Sequence, residues 1–297
     1  MRLGVIFPNN DLGADPSAVR DFVQTAEALG YSHLLVSDHV LGADPHRDDQ
    51  WAVTPSGGAY TFDDLYHEVF VLLGYVAAIT TRMELATGIV ILPQRQTALV
   101  AKQAAEVDVL SGGRMRLGVG VGWNHVEYEG LGQNFRDRGR RLDEQVELLR
   151  RLWTEPVVDF EGLYHTVPRA GINPLPVQRP IPIWMGGMSD PVIRRVATYA
   201  DGWYPRMRPA GDAAKRLMEK LRVWAHEAGR DISQIGIEGR VKIGEGDPAD
   251  WRRAYAEWQA IGCTHITVET RAGRTVAPDP ARAIDLVRRA KAELPAV

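Results

Sequence analysis

The sequence predicts a (β/α)8 barrel, and three observations predict it. The chain has 297 residues, the size of one such barrel of about 250 residues plus insertions. Short β-branched apolar runs alternate with helix-period segments along its whole length, the pattern of parallel βαβ units. The stretch from Ala86 to Asn124 carries strand, helix and strand in immediate succession, each strand ending in glycines or polar residues. In α/β folds ligands sit at those carboxyl ends. No linker or low-complexity tract interrupts the pattern, so one domain over residues 1–297 is expected.

The elements follow in order. The first strand spans Leu3–Phe7 and stops at Pro8. A helix over Pro16–Leu29 has Asp15 as N-cap, proline at its first position and Gly30 as its stop. The second strand is Leu34–Ser37, ending in Asp38-His39, and a long polar loop, Gly42–Tyr60, comes next. The second helix is placed at Phe62–Thr80. Its middle is apolar nearly all round, which predicts burial against a second subunit and hence a homodimer. The third strand is Leu85–Leu92, its helix Ala98–Leu110 is capped by Gly112 and Gly113, and the fourth strand is Met115–Val121. An amphipathic helix over Asp137–Trp153 leads into an excursion, Thr154–Arg179, in which D-F-E-G-L-Y-H reads as a hairpin. The remaining strands are Ile181–Met185, Gly202–Tyr204, Ile235–Ile243 and His265–Glu269. The remaining helices are Pro191–Tyr199, Ala213–Ala228, Ala249–Ala260 and Pro280–Glu293.

Composition excludes several classes. The net charge is -3, from 35 basic and 38 acidic interspersed residues, so there is no nucleic-acid footprint. One cysteine, Cys263, excludes an internal disulfide and a thiolate cluster, and reads as a small buried hydrophobe. The histidines form neither H-x-H nor H-E-x-x-H, so no metal is expected. No apolar run approaches the roughly 20 residues of a membrane span. The chain enters a strand at once without the apolar core of a signal peptide, so the expected location is the cytoplasm and no membrane partner is expected.

Four motifs carry possible chemistry. Asp38-His39 ends the second strand, where it is either a polar cap or a proton-handling pair in which the carboxylate fixes the imidazole tautomer. Gly88-Ile89 lies inside a strand, marking either tight packing or a bulge. In Gly118–Asn124 the glycines alternate, so Gly118, Gly120 and Gly122 share one strand face and leave room for a flat ring; Trp123 either stacks on that ring or fills the mouth. Gly186-Gly187-Met188-Ser189-Asp190-Pro191 opens a helix, as a tight turn with Ser189 or Asp190 as N-cap or as a phosphate cradle. Arg206 and Arg208 follow the sixth strand near the mouth, as surface arginines or as the binders of an acidic substrate or cofactor tail.

The segments Ser37-Asp38-His39, Thr87-Gly88, Leu92-Pro93, Ala101-Lys102, Leu110–Arg114, Gly118–Asn124, Gly186–Ser189 and Asp201-Gly202-Trp203 resemble the bacterial luciferase-like family, most closely its branch that uses the deazaflavin coenzyme F-420. The resemblance implies a luciferase-like barrel oxidoreductase that passes a hydride between F-420 and a small-molecule substrate. An FMN-dependent monooxygenase is the alternative it allows. It implies that His39 and Asp38 are catalytic and face the deazaflavin ring. Gly88-Ile89 is then a bulge with a non-proline cis peptide behind the ring. Gly120, Gly122, Trp123 and Asn124 line the cofactor, and Gly186, Gly187, Met188 and Ser189 hold its phosphate. Deazaflavin sugar-phosphate dehydrogenases, which the chain also resembles here, carry a glutamate where this sequence has Val121, which argues against glucose 6-phosphate as substrate.

Overall fold

The computed structural model describes residues 1–47, 60–207, 209, 211–273 and 277–294. Eight parallel staves close into a barrel. They are β1 (Arg2–Ile6), β2 (His33–Val36), a broken stave made of β3 (Glu84–Thr87) and β4 (Val90–Ile91), β5 (Met115–Gly120), β8 (Ile183–Gly186), β9 (Gly202–Tyr204), β10 (Gly236–Lys242) and β11 (His265–Glu269). Pairing of β3 with β5, Leu85 opposite Met115, completes the ring. The hairpin of β6 (Val158–Glu161) and β7 (Thr166–Ala170) stands outside it, in the predicted excursion. His165 ties this hairpin down, bonding the Thr97 hydroxyl at 2.7 Å and Glu144 at 2.7 Å.

The outer helices are α1 (Asn9–Leu12), α2 (Pro16–Ala28), α3 (Val69–Ile79), α4 (Thr97–Ser111), α5 (His125–Gly130), α6 (Arg138–Thr154), α7 (Asp190–Thr198), α8 (Asp212–Glu227), α9 (Pro248–Ala260) and α10 (Pro280–Glu293). Asp15 caps α2 as expected, accepting the Ser17 N–H at 2.9 Å. The left-handed Gly112 closes α4.

The structure corrects one helix boundary, splits one strand at the cis peptide expected there, and adds two short helices. The predicted helix over 62–80 begins only at Val69, because Glu68 caps it by accepting the Val71 N–H at 2.8 Å. Upstream, side chains capture the backbone: Asp64 accepts the Thr61 N–H and Asn10 the Leu65 N–H, at 2.8 and 2.7 Å. The predicted strand over 85–92 is interrupted by a cis peptide at Gly88-Ile89, where the bulge was expected. The short helices α1 and α5 were not foreseen. Of the long loop, residues 48–59 lie outside the described residues, as does Arg208.

The barrel interior is polar at one level. Glu238 and Arg116, each 3% exposed, pair at 2.9 Å. His33 meets the other Glu238 oxygen at 2.6 Å, Glu84 Oε1 forms an ion pair with Arg116 Nε at 2.5 Å, and Arg116 stacks on Trp184 with its carbon 4.1 Å from the ring centroid. Glycine makes room for these groups: a Cβ on Gly4 would lie 2.2 Å from the His33 ring. Above this layer Leu35, Ala86, Trp184 and Tyr204 form an apolar cluster, and half-buried Ile6 and Ile89 pack on it. They are the floor of the barrel mouth. Outside the barrel, α3 buries Phe70, Leu73 and Val76 but leaves Val71 and Tyr75 open, 72% and 40% exposed. Among the described residues no helix is long and apolar enough to cross a membrane.

Candidate active site

The carboxyl ends of the staves gather the predicted motifs around one mouth. His39 follows β2 with its side chain 18% exposed. It stacks on Tyr60, ring centroids 3.6 Å apart, and meets the edge of Tyr66 at 4.8 Å. Trp123 closes the same aromatic group from the far side of Tyr60 at 5.6 Å.

The carboxylate serving His39 is not Asp38. Asp38, 3% exposed, is turned to Arg95 Nη2 at 2.7 Å, and Arg95 reaches on to Glu68 at 3.1 Å. Burial raises the Asp38 pKa, against the pull of Arg95. The partner of His39 is the fully buried Glu127, whose Oε2 lies 3.4 Å from Nδ1. Glu127 also accepts the Tyr60 hydroxyl at 2.7 Å and the Val40 N–H at 2.5 Å. Burial pushes its pKa up, but His39, Tyr60 and Val40 together hold it below the ordinary glutamate value. With Glu127 ionised, the Nδ1–H donates to it and Nε2 is left with a free lone pair.

Sequence reasoning missed Glu127, Tyr60, Tyr66 and Arg95. For Glu127 a signal existed: Asn124 to Glu127 reads N-x-x-E, the pattern of a helix start. Asn124 does cap α5, accepting the Val126 N–H at 3.1 Å. Its amide donates to the Tyr60 hydroxyl at 2.8 Å. Both ends of Asn124 are thus spent inside the protein, holding Tyr60 behind His39, and the residue is 1% exposed.

The glycine face of β5 is occupied differently than expected. A Cβ on Gly120 would sit 2.6 Å from Ile89 Cδ1, one on Gly186 3.0 Å from Ile89 Cγ2, and one on Gly118 2.1 Å from the Thr87 carbonyl oxygen and 2.8 Å from Tyr204. The room these glycines leave is filled by the protein's own Ile89 and Tyr204. The surface offered at the mouth is the Ile89 side chain, seated between two glycine backbones. Gly122 has φ +60, a conformation glycine adopts without strain, and turns the chain out of β5 towards Trp123.

After β8, Gly187 does not offer its N–H outward, because it donates to Tyr204 O at 3.2 Å. A Cβ there would point at Val192, 3.2 Å away, not at solvent. The groups that face out are Met188, Ser189, Asp190 and Pro191, all exposed, while Val192 and Ile193 of the same turn are buried. The first N–H groups of a helix lack intrahelical acceptors, and the Ser189 side chain does not cap α7.

The other histidines lie elsewhere. His67 bonds Gly13 O at 3.2 Å, and His46 pairs with Asp44 in an exposed loop. Among the described residues no group of three or more His, Cys, Asp or Glu is placed to hold a metal ion.

Comparison with known proteins agrees with this architecture. The sequence profile of a family described as luciferase-like monooxygenase matches residues 1–296. An uncharacterised protein of Mycobacterium tuberculosis is 35% identical over 264 residues, 86% of each chain. The monooxygenase RslO1 of Streptomyces bottropensis superposes with a TM-score of 0.76 at 19% identity, over 99% of this chain and 98% of that one. The coenzyme F-420-dependent tetrahydromethanopterin reductase of Methanopyrus kandleri superposes with a TM-score of 0.73 at 18% identity, over 96% of each.

Proposed function

The chain belongs to the luciferase-like monooxygenase family, and we propose that within it this protein is an oxidoreductase passing a hydride between coenzyme F-420 and a small organic substrate. The observation that carries the reading is the pair of His39 and buried Glu127 at the edge of the mouth whose floor is Ile89. Hydride transfer to a carbonyl, or from the carbon of an alcohol, requires a proton to move as well, and His39 Nε2 is placed to give or take it.

The residues fit a planar cofactor bearing a phosphate. Ile89, held between Gly120 and Gly186, is an apolar support for a ring face. Met188, Ser189 and Asp190 offer their N–H groups, and Ser189 its hydroxyl, for the phosphate; Pro191 has no N–H, and those of Val192 and Ile193 donate to Ser189 O. When bound, the deazaflavin supplies a carbon that carries the hydride. The protein orients it, keeps one face open and handles the proton. In this reading Asp38 is a positioning residue: it anchors Arg95, which braces the loop before α4.

Ser189→Asp tests the phosphate assignment. Aspartate is as good an N-cap as serine, so the melting temperature is expected to stay within about 2 °C, while its charge meets the phosphate. Affinity for F-420, read from its fluorescence, is expected to fall about tenfold, equivalent to ~1.4 kcal/mol. Unchanged affinity in the folded variant removes the phosphate from this turn.

The exposed Val71 and Tyr75 of α3 support a homodimer formed through that helix. Sedimentation at micromolar concentration is expected to show a dimer, and Val71→Asp to shift it to monomer. A monomer in the unmodified protein contradicts this.

A further inference from the structure

We infer that the substrate is an organic monocarboxylate with an apolar body, its carboxylate held by Arg206 at the mouth opposite His39; the inference rests on the hydride-transfer reading of the site.

The closed strand order divides the mouth into halves. Ile89, Gly120 and Gly186 belong to the β3/β4, β5 and β8 staves, which form the proposed cofactor half. The other half is built by β9, β10, β11 and β1, and β9 lies four staves from β2 on either path. A cleft on that side is lined by Ile6, Ser37, Tyr66, Glu269 and Arg271.

Arg206 follows β9 on that side of the mouth, close enough to Glu269 and Tyr66 of the cleft to interact with them electrostatically. Tyr204, the last residue of β9, faces the barrel interior. In extended chain, residue 206 returns to the same face. The register Gly202 to Gly236 and Trp203 to Ile237, carried on, sets Arg206 beside Arg240. Arg240 is paired with Glu269 at 3.2 Å. Arg206 is exposed and has no ion pair or hydrogen bond among the described residues. The Glu269 carboxylate is thus taken by Arg240, and an anion at Arg206 completes the set. Loss of hydration at the mouth, followed by the Arg240 charge, lowers the Arg206 pKa against the opposing pull of Glu269.

The neighbours choose among anions. Glu269 stands next to the position and repels a second negative charge, which disfavours a phosphate dianion. A carboxylate matches the planar guanidinium fork. Between Arg206 and His39 the walls are Ile6, Ile89 and the Tyr66 ring. A substrate bridging that gap presents an apolar body to them and its reacting carbon to the His39 side.

The test titrates the full-length protein calorimetrically with phenylacetate, with the isosteric neutral phenylacetamide and with inorganic phosphate, each with and without F-420. Binding of F-420 itself is followed separately by fluorescence. Phenylacetate is expected to bind at least tenfold more tightly than phenylacetamide, and Arg206→Gln to abolish that preference while leaving F-420 affinity unchanged. Arg206→Lys is expected to retain part of it, keeping the charge but losing the fork. Equal binding of acid and amide overturns the inference, and so does tighter binding of phosphate than of phenylacetate. A fall in F-420 affinity in Arg206→Gln with the acid preference intact assigns the arginine to the cofactor's acidic tail and also overturns it. Failure of F-420 to bind the unmodified protein overturns the cofactor reading instead, and the acid titration without cofactor still decides the carboxylate site.

Discussion

Replacing His39 with alanine is expected to lower turnover by roughly 10²–10⁴-fold, the range for loss of a general acid or base. Turnover is read from the visible absorbance of F-420 with any substrate that supports its oxidation or reduction. The physical basis is the arrangement around the imidazole. Glu127 is held ionised by four donors and fixes the Nδ1–H, leaving Nε2 for the reacting group. Glu127→Gln should therefore lower turnover less, because an amide oxygen still fills the pocket and can accept the Nδ1–H. F-420 affinity in His39→Ala should stay within about threefold, since the floor and phosphate turn are untouched. The stability loss should be about 1–2 kcal/mol, for the ring contacts with Tyr60 and Tyr66. Near-normal turnover in a folded His39→Ala protein would reduce His39 to a wall of the site.

Glu238→Ala is expected to cost about 3–5 kcal/mol of stability, on the order of 10 °C in Tm, because it leaves Arg116 and His33 buried without their shared carboxylate. Glu238→Gln, which keeps a hydrogen-bond acceptor for Arg116, should lose less. The pair also sets a pH dependence. Burial opposes ionisation of Glu238, but His33 and Arg116 overcome it and hold its pKa well below the usual glutamate value. A carboxyl lowered on folding contributes stability that is fully present above its unfolded pKa, about 4.3. That contribution is lost as pH falls below this value towards the folded one. The Tm of the unmodified protein should thus fall steeply below about pH 4.3, and Glu238→Gln should fall less steeply. Parallel melting curves for the two across acid pH would show that the buried pair does not carry this dependence.

The barrel was legible because its staves are buried and short. Gly202–Tyr204, His265–Glu269 and the helix Pro280–Glu293 stand where the pattern of apolar runs and breakers placed them. The boundary at residues 62–68 was not legible. What ends α3 there is the demand of Asn9, Asn10 and Asp64 on its backbone, two of them over 50 residues away in sequence. The same distance effect governs the site. His39, at a strand end, could be read from local pattern. Its real partner Glu127 lies 88 residues on, and the Arg95 that claims Asp38 lies 57 residues on. The alternating glycines of β5 were visible, but sequence spacing does not say which side chain fills the space they leave. Ile89 fills it, from the neighbouring stave.

The central claim is most directly tested by titrating the purified protein with F-420 and with FMN in parallel, by visible absorbance and fluorescence, then measuring turnover with and without oxygen. Micromolar or tighter binding of F-420, at least tenfold weaker binding of FMN, and turnover that does not depend on oxygen are the predicted results. Tight FMN binding with oxygen-dependent product formation would contradict the account and make the protein a flavin monooxygenase.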